Sequence, residues 1–209
     1  MKKFELTNDT KIVFGKKLFR IKALVSFGNV KAGELGGYVE KEENLSHDGN
    51  AWVYDNARVY GNARVCGNAR VCGNAEVYSN ARVYGNAWVY GNAEVYGNAR
   101  VCGNAEVRGN ARVYGNARVC GNARVCGNAE VRGNADYACV KGFGTEYRNT
   151  TFYRQTDGSI GVRCGCFSGT LDEFREQVKN TREGKIAKEY LMIADLMEYH
   201  FQKRGRSGR

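Results

Sequence analysis

Apolar and polar positions alternate along the middle of this chain in a six-residue rhythm. From Gly49 to Arg132 the phrase G-N-A-x-V-x runs through fourteen hexads without insertion or deletion, and a degraded fifteenth follows at Gly133-Asn134-Ala135-Asp136. In a strand, successive side chains point to opposite faces. The near-invariant Ala and Val therefore face a core, and the two variable residues face outward. Gly-Asn marks a corner, since both residues tolerate positive φ and Asn can hydrogen-bond locally while the chain turns. Each hexad thus predicts one short strand plus one bend. A single hexad buries nothing alone, so the array must stack as a solenoid.

The block Asn56-Ala57-Arg58-Val59-Tyr60 to Val77 recurs from Asn110 to Val131, an offset of 54 residues or nine hexads. Three hexads per coil restore every side chain to its own face at that offset, which predicts a triangular prism of about five coils. A duplication of nine hexads would leave the same offset.

The flanks read differently. Lys11-Ile12-Val13-Phe14 and Leu18 to Val25 alternate as two or three short strands, and residues 1–36 are assigned as a β cap over the exposed end of the solenoid. The array is placed at 37–142. In 143–209, Thr151–Arg154 and Ile160–Cys164 form a hairpin around Asp157-Gly158. Thr170-Leu171-Asp172-Glu173 is a capping box opening a helix to about Lys179. A second helix, from about Lys185 to Phe201, repeats Ile186, Tyr190, Ile193, Met197 and Phe201 at helical spacing. This ββαα unit closes the far end, and the basic tail Lys203–Arg209 is expected to be disordered. The fold class is therefore mainly β: a parallel β-helix between a β cap and a ββαα domain.

Composition adds bounds. No apolar run is long enough to span a membrane, and no secretory leader follows Met1-Lys2-Lys3, so the expected setting is cytoplasmic. Eight cysteines follow the hexad spacing, and reduced thiols are expected there. Proline is absent, as suits a backbone whose N–H groups nearly all join ladders. The net charge of +10 is spread along the chain, which makes a nucleic acid a less favoured partner than a smaller anion.

With residues eighteen apart stacked at about 4.8 Å, three faces emerge. One carries Arg64, Arg82, Arg100 and Arg118 beside Cys66, Tyr84, Cys102 and Cys120. Stacked guanidinium groups repel, so this row reads either as a strip for an anionic ligand, nucleotide or acidic protein, or as a solvated face with splayed side chains. A second face carries Tyr60, Tyr78, Tyr96 and Tyr114 beside Arg58, Glu76, Glu94 and Arg112. That row is a stacking platform or a stabilising ladder. The third mixes Trp52, Arg70, Trp88, Glu106 and Arg124 with Tyr54, Cys72, Tyr90, Arg108 and Cys126. An exposed aromatic ladder also resembles a subunit interface, so the Tyr row or Trp52 and Trp88 is expected to be buried between protomers. No C-x-x-C pair occurs and there are only two histidines, so no zinc or other metal site is expected. Cys164 and Cys166 are assigned to one side of a strand, inside the C-terminal core.

V-Y-G-N-A-R resembles the hexapeptide repeat of left-handed β-helix proteins, over about residues 37–138. The resemblance implies a left-handed coil and a homotrimer. It departs where Tyr, Cys or Arg stands in a slot that those families often fill with Gly. The stretch Val30 to Ser46 is similar to the opening of bacterial hexapeptide-repeat proteins of the acyltransferase kind. That chemistry needs a general base, usually His, near an acyl-thioester cleft. The array has neither a His nor an insertion. His47, in Leu45-Ser46-His47-Asp48, and His200 are its only candidates, and they read as a turn residue and a helix end. No Ser-His-Asp set, carboxylate pair or phosphate loop appears. No catalytic residue, enzyme activity or cofactor is therefore expected. Ice-binding solenoids need ranks of Thr, and DNA mimics are acidic; neither fits. Cys164-Gly165-Cys166 to Phe174 resembles a module of small phage and prophage accessory proteins. The expected function is a non-catalytic interaction protein, a phage accessory factor acting in counter-defence. A polymer-forming spacer and a diverged acyltransferase are the alternatives.

Overall fold

A computed structural model describes residues 1–202; the tail expected to be disordered, Lys203–Arg209, lies outside the described residues. The N-terminal segment forms β1 (Phe4–Val13), β2 (Lys16–Ala23) and β3 (Leu35–Val39). Fourteen two-residue strands then recur every six residues, from β4 (Trp52–Val53) to β17 (Glu130–Val131). Every hexad Ala and Val from Ala51 to Val131 is wholly buried. The strands pair in parallel with the residue eighteen positions on, as in Arg58↔Glu76 and Val59↔Val77, and build three sheets around that core.

From Gly67 to Tyr114 each hexad donates three backbone hydrogen bonds to the next coil. Arg82 N–H reaches Ala99 O at 2.9 Å, Tyr84 N–H reaches Val101 O at 3.0 Å, and the corner Asn86 N–H reaches Gly103 O at 2.8 Å. The two corner residues divide their work, and not as the sequence implied. The Gly slot alone takes positive φ, between 63° and 75° in the array. The Asn side chains instead form amide ladders along the axis: Asn68 Nδ2 donates to Asn86 Oδ1 at 3.0 Å, and Asn86 to Asn104 at 3.1 Å. Gly is also needed for space. A Cβ on Gly85 would lie 3.0 Å from the backbone N of Gly103. Two hexads put another residue in the slot, Asp55 at φ 54° and Ser79 at φ 60°. Asp55 is compensated, because its carboxylate accepts the Gly73 N–H at 2.9 Å. Ser79 makes no such bond.

Both solenoid ends are covered. At the first, β2 pairs antiparallel with β3, and β3 pairs in parallel with Arg58-Val59. Phe4 and Phe27 close over Trp52 at ring-centroid distances of 6.2 and 5.4 Å. Trp52 is fully buried, so it is core beneath the cap and not the interface residue expected from its column. Lys3 is buried as well, with its ammonium on two carbonyls of the first coil, Ala51 O at 2.9 Å and Gly49 O at 3.3 Å.

At the far end, four antiparallel strands replace the expected two: β18 (Tyr137–Phe143), β19 (Arg148–Arg154), β20 (Ile160–Cys164) and β21 (Phe167–Thr170). The C-terminal unit therefore begins before residue 143. Tyr137-Ala138-Cys139-Val140 pairs with β19 (Ala138↔Phe152) once the hexad phrase has decayed. Gly165, at φ 57°, and Cys166 form the turn between β20 and β21. Cys166 is consequently exposed and Cys164 half-buried, where both were expected in the core. The capping box forms, with the Glu173 N–H donating to Thr170 Oγ1 at 3.3 Å, and it opens α1 (Leu171–Thr181). With α2 (Gly184–Phe201), α1 packs on Phe152 and Val162. β19 lies across the last coil: Thr151 Oγ1 accepts the Arg124 N–H at 3.0 Å, and Tyr153 enters the solenoid core.

Two outcomes follow from this geometry. Ser79→Gly should raise unfolding stability by about 1 kcal/mol, because it relieves a left-handed non-Gly residue, while Gly85→Ala should lose about 1–3 kcal/mol; urea denaturation reads both. Burial pushes the Lys3 ammonium down to about 8 from 10.5, with Asp48 partly opposing. Between those values the unfolded chain holds a proton that the native chain has released, so this group makes stability rise with pH across that window. Comparing denaturation at about pH 8 and pH 9.5, the rise should shrink in Lys3→Met.

Candidate functional site: the arginine face

Parallel register places Arg64, Arg82, Arg100 and Arg118 in one column. Arg64, Arg82 and Arg118 are exposed and Arg100 is partly so. Among the described residues none of the four has a carboxylate within ion-pair distance. The other faces behave differently. Arg58 meets Glu76 at 2.6 Å, Arg124 meets Glu106 at 3.5 Å and Arg112 meets Glu94 at 3.7 Å. Arg58, Arg112 and Arg124 each have Glu eighteen residues away; Arg70 lies between Trp52 and Trp88, and the column of Arg64 repeats Arg alone.

The column is not flat at its N-terminal end. Arg64 and Arg82 share a cleft of about 420 Å³ with Lys41, Asn62 and Asn80, and Glu43 is its one acidic neighbour. The Lys41 ammonium leans on Asn62 Oδ1 at 3.5 Å. Lys41 was missed in the sequence because it precedes the first full hexad at Gly49, where the hexad register assigns no face.

Beside the arginines runs the column Cys66, Tyr84, Cys102 and Cys120. Cys102 and Cys120 are disulfide-bonded across adjacent coils, with Cα atoms 4.6 Å apart. This corrects the expectation of reduced thiols at these two positions. In-register parallel pairing brings like residues to within disulfide reach. Tyr84 separates Cys66 from this pair, and Cys66 stays a free thiol.

The tyrosines stack face to face, with Tyr60–Tyr78, Tyr78–Tyr96 and Tyr96–Tyr114 centroids at 5.0, 4.9 and 4.8 Å and planes within 4°. Three of the four hydroxyls are engaged within the chain: Tyr60 donates to Glu76 at 2.8 Å, Tyr78 to Glu94 at 3.1 Å and Tyr114 to Glu130 at 2.5 Å. Burial, reinforced by these carboxylates, pushes all three hydroxyls above the usual tyrosine range. Tyr60 is also buried under the β1–β2 hairpin with Val13, Leu18 and Tyr38. It cannot serve as the interface residue expected of it. Tyr78, Tyr96 and Tyr114 stay half-exposed, and Trp88 is 39% exposed.

His47 belongs to the N-terminal cap. Its Nδ1 accepts the Lys3 N–H at 3.1 Å, its Nε2 faces Glu42 at 3.6 Å, and its ring stacks on Phe4 at 4.5 Å. His200 is exposed on α2, its ring edge-on to Phe201. Among the described residues no three His, Cys, Asp or Glu side chains converge as metal ligands, and no helix is long and apolar enough to cross a membrane.

Seven segments of the array, 51–67, 63–79, 75–91, 81–97, 107–121, 111–127 and 117–133, match the family model described as YdcK Beta solenoid repeat. No curated protein matches the chain. The matched segments lie on the coils that carry the arginine and tyrosine columns. By its repeat and by its stacked parallel coils, the chain is a β-solenoid repeat protein, similar in its array to the YdcK repeat.

Proposed function

We propose that this chain is a non-catalytic interaction protein whose arginine face binds an anionic ligand: a nucleotide, another phosphorylated small molecule or an acidic segment of a protein. One observation carries the reading. Four stacked arginines lack carboxylate partners among the described residues, while Arg58, Arg112 and Arg124 on the other faces have them. Like charges at strand spacing destabilise one another, and an incoming anion removes that cost. The cleft of Lys41, Arg64 and Arg82 supplies a concave place for it, with Asn62 and Asn80 as neutral donors. The non-catalytic part is supported by His47, whose two nitrogens are occupied by Lys3 and Glu42.

The coil is taken as left-handed and the assembly as a trimer on the resemblance of V-Y-G-N-A-R to hexapeptide repeats. The phage accessory role in counter-defence rests on the resemblance of Cys164–Phe174, and a cytoplasmic setting is part of the same reading. A polymer-forming spacer is the competing reading. Coverage of both solenoid ends disfavours it, because end-to-end growth needs an open strand edge.

Calorimetry against linear and cyclic nucleotides, inorganic polyphosphate and acidic peptides tests the site. The Arg82→Glu/Arg100→Glu pair should weaken binding by about tenfold or more per arginine. Unchanged affinity would remove the column from the account. Light scattering separates the assemblies: a defined trimer is expected, and filaments that grow with concentration would favour the spacer.

A further inference from the structure

The third face opens a second cleft, of about 410 Å³, where its first coils meet the turn Phe27–Val30. One wall is this turn. Phe27 and Val30 exchange backbone hydrogen bonds of 3.0 and 2.8 Å, and the Phe27 ring packs edge-on against buried Trp52. Gly28 sits so close that a Cβ there would be 3.4 Å from the Asn50 Cβ. The opposite wall is Trp88. Its Nε1–H donates to Cys72 Sγ at 3.0 Å, and its ring rests on Tyr90 at 4.6 Å. The indole is thus held in place with its one polar atom already used. The surface that remains is flat and apolar.

Between the walls lie Asn50, Asn68, Asn86 and Arg70. The amides are linked, Asn50 to Asn68 at 3.3 Å and Asn68 to Asn86 at 3.0 Å. A primary amide has two N–H donors and two lone pairs, so each linked amide keeps a donor or acceptor for a ligand. Neither the Arg70 guanidinium nor the Tyr54 hydroxyl has a polar side-chain partner among the described residues. The cleft lining holds no carboxylate and one cation, and the charges of Glu34 and Asp55 also reach Tyr54. An anion gains far less here than among Lys41, Arg64 and Arg82.

A fixed aromatic platform facing neutral donors and acceptors suits a ligand with one apolar face and a hydroxyl-bearing edge. We propose that this cleft binds a neutral carbohydrate, with one pyranose ring on Trp88 and its hydroxyls bonded to Asn68 and Arg70. The site is separate from the arginine column and does not depend on it.

The test uses the full chain with glucose, galactose, mannose, N-acetylglucosamine and their β-linked oligomers. Trp52 is fully buried, so a ligand-induced change in tryptophan emission reports Trp88, and calorimetry follows the variants. At least one sugar series should give a saturable change. Affinity should fall by about tenfold or more in Trp88→Ala and in Arg70→Ala, and by less in Trp88→Phe, which keeps a ring and guards against loss of fold. The Arg82→Glu/Arg100→Glu pair should bind sugar as before. Absence of saturation with every sugar, binding that survives Trp88→Ala, or stronger quenching by adenosine or uridine than by any sugar would each overturn the proposal.

Discussion

In-register parallel stacking is the constraint on which the rest of this molecule depends. Every residue of the array lies directly over the residue eighteen positions away, so each column must tolerate its own composition. Asn does so well, because an amide is both donor and acceptor and can bond its copy indefinitely. The ladder from Asn62 through Asn80 and Asn98 to Asn116 is held at 3.2–3.3 Å throughout. Tyr stacks on Tyr, Val fills the core against Val, and Cys102 bonds Cys120. Arg has no favourable way to meet itself. Where Arg faces Glu instead, the column neutralises; where four Arg stack in a row, the stacking that stabilises the other columns works against the fold.

That asymmetry explains which parts of the molecule were legible in the sequence. The period and its offset placed the four arginines in one column and the four tyrosines in another, because stacking converts spacing into position without further information. The Gly-Asn corner was legible as a turn, but its internal division was not. Positive φ and the close approach of the next coil both select Gly, while the value of Asn lies in a ladder visible only once coils are stacked. Burial was misread wherever something outside the array intervenes. Trp52 and Tyr60 occupy outward slots, yet Phe4, Phe27 and the β1–β2 hairpin cover them. The hexad specifies direction, and exposure also depends on what the caps place there.

The ends carry the same lesson. Strand β18 begins inside the segment assigned to the solenoid, because the phrase decays over Gly133–Asp136 and Tyr137 already belongs to a different sheet. Cys164 and Cys166 looked like neighbours on one strand, but Gly165 between them takes positive φ and turns the chain. A glycine flanked by apolar residues carries both possibilities, and the pairing of Cys164 with Phe167 decides between them.

Regularity also determines where recognition can occur. A column of identical coils offers a ridge and a groove repeated at one spacing, and neither encloses a ligand. Both clefts described above form where the array meets a segment outside it: Lys41 beside Arg64 and Arg82, and the Phe27–Val30 turn beside Asn50 and Trp88. The repeat supplies ordered rows of guanidinium, amide and indole groups, and the N-terminal cap supplies the wall that turns a row into a site. The two clefts differ in charge because the columns differ. One repeats Arg without relief, while the other sets Arg70 between Trp52 and Trp88, leaving a single cation in the cleft. Specificity in such a molecule therefore lies at the junction of a periodic face with a non-periodic cap, and variation in the cap can change the ligand without disturbing the coil.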